Sequence, residues 1–224
     1  DGVPWIPSDE VEEWLLDSLS ELGSRYAIEL ISITTHGATF ACVNADGELA
    51  IPVVDYTHEP GDEFHRAFHE IAGDPDDLQR ETATPRLPLL LHVAQGVYFF
   101  QREMPDAWAK VAHVLFYPQY IALRLTGQLG ADVTYAACHT YLFDFAELDY
   151  SQVADALGIR DKLIAPIQDP TQVLGRIDPA VAGRTGLLPT TRVTLGIHDS
   201  NASLLPYLIK KADRDFIVNS TGTW

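Results

Sequence analysis

The sequence predicts an α/β domain in which a mixed sheet is flanked by helices. An amphipathic helix comes first, a strand and a hairpin follow it, and helical stretches fill the middle of the chain. Because strands alternate with helices and one pair is joined by a tight turn, parallel and antiparallel pairing are both expected. The length of 224 residues, 46% of them hydrophobic, suits one large domain with part of another.

The first helix is expected to begin at Ser8, which we assign as its N-cap. Asp9 and Glu10 follow in the first turn, where carboxylates interact favourably with the helix dipole. Apolar residues then recur at helical spacing from Val11 to Leu22. The segment therefore predicts an amphipathic helix packed on the domain.

A strand and a hairpin follow this helix. Residues 27–34 are predicted to form a buried strand. Residues 38–44 and 49–54 predict the two arms of a hairpin, because Asp46-Gly47 is a favourable turn between them.

The middle of the chain is predicted to be helical. Residues 59–88 are charged and show little strand pattern, so we interpret them as short helices that form an excursion over the sheet. Residues 89–103 and 105–125 predict two longer helices, and Gly127 lies where a helix C-terminus favours glycine.

The last third is predicted to hold short elements. Helices are expected at residues 150–157 and 179–185. Extended or strand-like pieces are expected at residues 164–166, 175–177, 192–196 and 215–219.

Composition excludes several classes of protein. A net charge of −17 would repel a phosphate backbone, so we expect no nucleic-acid partner. Residues 87–100 are the most apolar stretch, and they are shorter than the roughly 20 residues that span a bilayer. We therefore expect no membrane partner. Cys42 and Cys138 lack disulfide-scaffold or metal spacing, which favours a reduced, cytoplasmic setting.

Asp199 is the candidate catalytic base. It follows the strand-like residues 192–196 and precedes an apolar helical stretch, so its carboxylate is expected at a sheet edge, where ligands of open α/β sheets bind. The alternative is a helix N-cap, a position that suits Asp before Ser200. His198 is expected to pack beside the strand end, where it would orient Asp199 or contact a substrate.

A second candidate contact lies where another strand leaves the sheet. Gly37 lets a ligand approach the backbone closely, although turn geometry explains a glycine equally well. We predict substrate contact for the segment His36, Gly37 and Ala38.

A phosphate-binding turn is predicted near the end of the chain. Residues 215–219 lead into Ser220, Thr221, Gly222 and Thr223, whose hydroxyls and backbone amides suit phosphate oxygens. A base followed by a phosphate cradle indicates phosphoryl transfer from a nucleotide to a hydroxyl.

Several motifs then appear in an order that is typical of one enzyme family. The motifs are His36-Gly37-Ala38-Thr39, Arg124-Leu125-Thr126-Gly127, Leu142-Phe143-Asp144, Thr185-Gly186-Leu187, Gly196-Ile197-His198-Asp199 and Asn219-Ser220-Thr221-Gly222-Thr223-Trp224. Each is weak alone, but their order and spacing cover nearly the whole chain. Together they resemble the FGGY carbohydrate kinases.

This resemblance implies an actin-like, ribonuclease-H-like enzyme of two domains, with sugar and ATP meeting in the cleft between them. It implies that Asp199 accepts the proton of the sugar hydroxyl, that Mg²⁺ bridges the phosphates, and that Thr221, Gly222 and Thr223 hold phosphate oxygens. By the same resemblance, Asp55 is an approximate counterpart of a sugar-binding aspartate. Sugar and ATP are the expected partners, with a homodimer as a possible assembly.

The resemblance also predicts the domain boundaries. Residues 1–212 correspond to the first, sugar-binding domain without its opening strand and Asp-Gly-Thr phosphate turn, and residues 213–224 to the start of the nucleotide-binding domain.

Four alternatives stay open. A noncatalytic sugar sensor and an actin-like ATPase of another class would share the same fold. His65 and His69, four residues apart, allow a metal site, although a solvated helix face is the commoner explanation. Asp132 and Thr134 suit a helix cap or a turn, and the segment 135–139 is a candidate lining of the cleft.

Overall fold

A computed structural model describes residues 2–211 and 215–219. The helices in this part of the chain are α1 (Ser8–Gly23), α2 (Asp62–Ala72), α3 (Pro75–Thr82), α4 (Val93–Glu103), α5 (Pro105–Trp108), α6 (Tyr117–Thr126), α7 (Val133–Ala136), α8 (Gln152–Ala156), α9 (Pro179–Thr185) and α10 (Asp199–Lys211), with a 3₁₀ turn at Arg160–Lys162. The strands are β1 (Leu30–Ile31), β2 (Thr34–Thr35), β3 (Phe40–Val43), β4 (Leu49–Ile51), β5 (His113–Phe116), β6 (Phe143–Asp144), β7 (Asp149–Tyr150), β8 (Val173–Arg176), β9 (Arg192–Thr194) and β10 (Ile197–His198).

Strand β3 is the centre of an antiparallel sheet with the order β4-β3-β5. All four of its residues are buried, and Phe40 pairs with Phe116 at the end of β5. The predicted hairpin is confirmed, since β3 and β4 pair antiparallel around a turn in which Gly47 has a φ of +81°. Side chains from this sheet and from α4 and α8 form the largest hydrophobic core.

A parallel ladder leads to the end of β10. Strand β1 pairs with β9, and β2 pairs with β10, while β8 adds antiparallel to β9. Leu30 faces Arg192 but Thr34 faces Ile197, so one extra residue lies on the β9–β10 side. Gly196 occupies this interruption with a φ of +90°. The irregularity resembles a β-bulge, which redirects the strand that follows it. Parallel and antiparallel pairs both occur, as the sequence predicts.

A second core joins three helices to the ladder. Its buried residues come from α1, α6, α9 and the adjacent strands: Leu16, Leu19, Ile33, Ala122, Leu125, Ile177, Ala182, Leu187 and Val193. Full burial of a side chain as large as Leu or Ile contributes roughly 1.5–3 kcal/mol. The apolar face predicted for the first helix therefore packs in this second core.

Other sequence predictions are confirmed with small differences. Residues 59–88 contain two short helices, α2 and α3. Gly127 caps α6 in the left-handed conformation, with a φ of +70°. The helix predicted at 179–185 has those bounds, and the predicted extended pieces at 175–177 and 192–196 overlap β8 and β9, whereas 164–166 forms no strand.

The N-terminal predictions need two corrections. Ser8 is not the N-cap of α1: Pro7 holds that position, and the Ser8 hydroxyl donates to the Ile6 carbonyl oxygen at 3.3 Å. Residues 27–34 do not form one buried strand, because they split into β1 and the start of β2. Strand β1 lies at the edge of its sheet, which leaves Leu30 exposed.

The single helix predicted at residues 105–125 is wrong. The structure has α5, then strand β5, then α6. Residues His113–Phe116 pair with β3 at every position, so long-range hydrogen bonding overrides the local helical pattern. Pro118, near the start of α6, suits the first turn of a new helix.

The strand predicted at residues 215–219 is also wrong. These residues are described without strand structure, and Ile217 is almost fully exposed. A strand requires a neighbour to share its backbone hydrogen bonds, and no pairing to the described residues is present here. Within residues 2–211 and 215–219, the helices are too short or too polar to cross a membrane.

Candidate functional site

Asp199 lies where β10 ends and α10 begins, the position that its sequence context predicts. Its side chain is 51% exposed. Its Oδ1 accepts a hydrogen bond from the Ser200 backbone N–H at 2.6 Å. Among the described residues, no hydrogen bond engages Oδ2 of Asp199, so this oxygen is available to a ligand at the surface.

His198 is buried directly behind Asp199. Its Nδ1 lies 3.1 Å from Oδ1 of Asn201, one turn into α10. Its Nε2 lies 3.4 Å from Oδ1 of Asp199 and 3.7 Å from Sγ of Cys138. Burial raises the pKa of Cys138 to about 12, so the thiol keeps its proton near neutral pH. The imidazole is thus held on both sides, which favours an orienting role over a mobile one.

The turn from His36 to Thr39 lies against this histidine. A Cβ added to Gly37 would be 2.8 Å from Nε2 of His198, closer than a Cβ atom packs against another heavy atom. Any larger residue would therefore displace the His198 ring, and glycine allows the close approach of the turn to His198. Ala38, the next residue, is buried and has a φ of +64°.

Tyr135 forms hydrogen bonds with the backbone of the same turn. Its hydroxyl lies 2.6 Å from the Thr39 carbonyl oxygen and 3.1 Å from that of His36, and it accepts the Thr39 N–H at 3.0 Å. The ring stacks on Phe116 and meets the His198 ring edge-on. Tyr135 is fully buried. One side chain thereby connects the turn, the sheet and the residue before Asp199.

His36 is the candidate contact with the most perturbed environment. Its Nε2 lies 2.8 Å from the Thr39 hydroxyl, and its ring lies between those of Tyr56 and Tyr117, at centroid distances of 5.7 and 5.8 Å. Burial lowers the pKa of His36, whereas the carboxylates of Asp199 and Asp55 oppose that shift.

The charges that act on His36 show that the predicted site residues lie close to one another. His198, Asp199 and Asp55 all influence the pKa of His36. Gly37 contacts His198 directly, and Ala38 continues the same turn. The structure thus brings together Asp199 and the five predicted substrate contacts, which are His36, Gly37, Ala38, Asp55 and His198.

Asp55 is partly engaged in a local turn. Its Oδ1 accepts hydrogen bonds from the backbone N–H and the hydroxyl of Thr57, at 2.9 and 2.8 Å. Such an arrangement is typical of an Asx turn. The side chain is partly exposed, so it is accessible to further contacts.

The buried residues Asp132 and Gln119 and the partly buried Thr134 form a hydrogen-bonded support that sequence reasoning only partly anticipated. Asp132 caps α7, as the predicted capping role requires, because its side chain accepts the N–H groups of Thr134 and Tyr135. Gln119 donates to the other carboxylate oxygen at 3.0 Å, and the Thr134 hydroxyl accepts the His198 N–H at 3.1 Å. Asp132 before Thr134 was a visible capping signal, whereas Gln119 had none.

The histidines that allowed a metal site have structural partners. Nε2 of His65 lies 3.0 Å from Glu59, and Nδ1 of His69 donates to the Gly73 carbonyl oxygen at 3.2 Å. Across residues 2–211 and 215–219, no group of three or more His, Cys, Asp or Glu side chains converges to hold a metal ion. The predicted phosphate contacts Thr221, Gly222 and Thr223 lie outside the described residues.

Comparison with known proteins covers most of the chain. The model of the FGGY family of carbohydrate kinases, N-terminal domain, matches residues 11–206. The autoinducer-2 kinase of Klebsiella pneumoniae is 25% identical over 185 residues, which are 82% of this chain and 32% of that protein. The L-fuculokinase of Escherichia coli K12 is 26% identical over 204 residues, 87% of this chain and 40% of that protein. The chain thus spans less than half the length of these relatives.

Solved structures share the fold. A carbohydrate kinase from Novosphingobium aromaticivorans is 34% identical, with a TM-score of 0.83 over 92% of this chain and 43% of that one. A ligand-bound xylulose kinase from Lactobacillus acidophilus is 19% identical, with a TM-score of 0.75 over 92% of this chain and 44% of that one. The predicted actin-like α/β fold is confirmed. The family match over residues 11–206 shows that the chain belongs to the FGGY family of carbohydrate kinases.

Proposed function

We propose that the protein containing this chain is an ATP-dependent carbohydrate kinase, which transfers the γ-phosphoryl group of ATP to a hydroxyl of a ketose or related sugar. The observation that carries the proposal is the half-exposed Asp199 carboxylate, with one oxygen open, beside the His36 turn. Family membership supports it, as do relatives named autoinducer-2 kinase, L-fuculokinase and rhamnulokinase.

Asp199 is the general base of the proposed reaction. The sugar hydroxyl gives its proton to the Asp199 carboxylate while its oxygen bonds to the γ-phosphorus of ATP. The bond from that phosphorus to the bridging oxygen breaks, and ADP leaves. In a loose transition state the proton moves late, so correct placement of the carboxylate matters more than strong basicity.

The sugar is bound by the turn around His36. The imidazole of His36 and the partly exposed carboxylate of Asp55 offer polar contacts to hydroxyl groups. Gly37 and Ala38 allow the sugar to approach backbone atoms, since neither carries a large side chain. His198 contacts Asp199 from the buried side, through its Nε2. Rings of Tyr56 and Tyr117 would shield this side of the sugar from water.

The nucleotide is bound by Thr221, Gly222 and Thr223 in this proposal. Mg²⁺ prefers hard oxygen ligands and commonly binds through one or two carboxylates together with substrate phosphates. The ion would be held through the phosphate oxygens of ATP, which leaves the half-exposed Asp199 carboxylate free to accept the proton. When bound with ATP, the ion neutralises charge on the phosphate oxygens.

The proposal includes the arrangement of the whole protein. Residues 1–212 are the sugar-binding domain, and 213–224 begin the nucleotide-binding domain. The family match over residues 11–206 supports the first boundary. A cytoplasmic setting is supported by two free cysteines, Cys42 and Cys138. A homodimer stays a prediction.

A sugar screen tests this function. The full-length protein is incubated with ATP and Mg²⁺ and with ketopentoses, deoxyketohexoses or polyols, and ADP release is measured. We expect at least one sugar to raise ADP release well above the rate without sugar. Sugar binding by calorimetry without ADP release would instead favour a noncatalytic sensor. Hydrolysis of ATP that no sugar changes would favour an actin-like ATPase of another class.

A further inference from the structure

The connection that carries the catalytic base is held at two points by polar side chains, one buried and one partly buried. This connection runs from Leu195 through Gly196 to His198 and joins β9 to β10 and then to Asp199. Gln119 donates through Nε2 to the Leu195 carbonyl oxygen at 2.7 Å. The Thr134 hydroxyl accepts the His198 N–H at 3.1 Å. Both ends of the connection are therefore bonded to side chains from other elements.

Strand β10 needs such support because it is an edge strand. Among the strands that the structure describes, it pairs with β2 alone, in a two-stranded ladder. The Ile197 N–H donates to Ile33 on the β2 side, and successive N–H groups along a strand point in opposite directions. The His198 N–H therefore points away from β2, where a third strand would otherwise accept it. The Thr134 hydroxyl takes the place of that strand.

Both support points converge on one carboxylate. Asp132 accepts hydrogen bonds from the Thr134 hydroxyl and, through its other oxygen, from Nε2 of Gln119 at 3.0 Å. It also accepts the N–H groups of Thr134 and Tyr135. Asp132 is fully buried, and burial raises its pKa while these hydrogen bonds oppose the shift. A carboxylate that receives only donors is arranged for its ionised form.

Helix capping does not account for the whole arrangement. The cap of α7 uses only the backbone N–H groups of Thr134 and Tyr135. Helix α7 has four residues, so it gains little from a fully buried carboxylate. The Thr134 hydroxyl and the Gln119 amide serve no bond of the cap. They instead connect Asp132 to the segment that precedes Asp199.

We infer that Asp132, Thr134 and Gln119 form a positioning cluster, which sets the direction of the Asp199 carboxylate by holding the backbone from Leu195 to His198. The inference rests on the proposed kinase function. None of the three residues is assigned a contact with sugar or ATP. Their effect passes through the bulge at Gly196, which on its own would allow the end of β10 to shift. Small displacements matter in catalysis, since a shift of about 1 Å costs on the order of 100-fold in rate.

The test replaces Thr134 in the full-length enzyme. Thr134→Val keeps the shape of the side chain but removes the acceptor for the His198 N–H. We expect kcat to fall by about 10- to 100-fold, with the KM for sugar within about threefold of wild type. Thr134→Ser restores the hydroxyl and is expected to restore most of kcat. Amide exchange of the peptide containing His198 is expected to accelerate in the valine variant alone.

Thr194→Val is the matched control. Thr194 is buried on β9, and its hydroxyl donates to the Ser32 hydroxyl at 3.0 Å, so this variant also removes one hydrogen-bonded hydroxyl beside the ladder. It leaves the His198 N–H untouched, and we expect kcat to stay within about threefold of wild type. If Thr134→Val fails to fold, Gln119→Met tests the other end of the connection, with the same expected loss of kcat.

The outcomes separate this inference from the function on which it rests. Wild-type protein that phosphorylates no sugar defeats both together. Active wild type with unchanged kcat in both Thr134→Val and Gln119→Met overturns the positioning cluster alone. Equal losses of kcat in Thr134→Val and Thr194→Val, or no rescue by Thr134→Ser, also overturn it, because either result indicates general damage to the ladder.

Discussion

The hydroxyl of Tyr135 accepts the backbone N–H of Thr39 and lies 2.6 Å from the carbonyl oxygen of the same residue. One fully buried side chain thus satisfies both backbone groups of a residue that is distant in sequence. The bonded residue ends the turn that begins at His36 and carries Gly37 and Ala38. The shape of the proposed sugar-binding turn consequently depends on a tyrosine from α7.

Tyr135→Phe is expected to lower stability and weaken sugar binding. The variant leaves the N–H of Thr39 without its buried partner, a loss that costs about 1–3 kcal/mol of unfolding free energy. We also expect the KM for sugar to rise more than kcat falls, because the turn contacts sugar rather than the reacting proton. Urea unfolding and initial-rate kinetics measure the two effects.

Tyr150→Phe is the control for this variant. Its hydroxyl donates to the Ile164 carbonyl oxygen at 2.8 Å, at a site that the His36 turn does not include. We expect Tyr150→Phe to lose stability by a comparable amount without a change in KM. A similar rise of KM in both variants would contradict a specific role of Tyr135.

Asp199→Asn is expected to reduce turnover without unfolding the protein. The change removes the proton acceptor and keeps the size of the side chain, so kcat should fall by about 10²- to 10⁴-fold in the full-length enzyme. The side chain is half exposed, and exposed substitutions usually change unfolding free energy by less than about 0.5 kcal/mol. Near-wild-type turnover with a verified sugar would exclude Asp199 as the base.

Gly196→Ala is expected to be strongly destabilising. Its φ is +90°, and an added Cβ would lie 2.9 Å from Cβ of Pro118 and 3.1 Å from the Ile33 carbonyl oxygen. A residue other than glycine in such a conformation costs about 1–3 kcal/mol before the steric overlap is added. Thermal or urea unfolding measures the loss of stability.

Gly183→Ala is expected to raise stability in the same assay. Gly183 lies inside α9, and nothing approaches its would-be Cβ within 4 Å. Alanine in a helix interior is more stable than glycine by roughly 0.5–1 kcal/mol. If both alanine variants change stability in the same direction, the conformational argument for Gly196 is wrong.

His92 is expected to make stability fall as the pH is lowered. Burial lowers its pKa to about 4, well below the value of about 6.5 for a free imidazole, although the Gln95 and Pro85 oxygens that lie 2.9 Å from its ring nitrogens oppose this shift. Between these two pKa values the unfolded chain binds a proton that the folded chain does not bind. Folding is therefore disfavoured progressively as the pH drops through this window.

A comparison with His92→Gln isolates this contribution. Unfolding free energies of wild type and variant are measured at pH 7 and pH 5. We expect the wild type to lose about 2 kcal/mol more than the variant over this interval. Parallel pH dependences for the two proteins would assign the acid sensitivity to other groups.

Local sequence signals predicted the elements whose chemistry lies within a few residues. The Asp46-Gly47 turn, the glycine cap at Gly127 and the helix at 179–185 are all present. The position of Asp199 at the junction of a strand and a helix is present as well. Each depends on backbone conformations that particular side chains favour by themselves.

Elements that depend on distant partners were not predicted. Residues His113–Phe116 look helical in isolation but pair with β3, and residues 215–219 look like a strand but are described without a pairing partner. Among the supporting residues, Gln119 carries no local signal, because both of its acceptors belong to other elements.

The sequence by itself determined the family, the alternation of helices and strands, and the residue that the proposed chemistry needs as a base. Only the tertiary structure decided how that base is held: the Thr134 hydroxyl meets the His198 N–H, and the Tyr135 hydroxyl meets Thr39. The physical reason is the separation of the bonded residues along the sequence. Caps and turns are satisfied by neighbours along the chain, whereas these hydrogen bonds join residues that become neighbours only when the sheet and the cores have assembled.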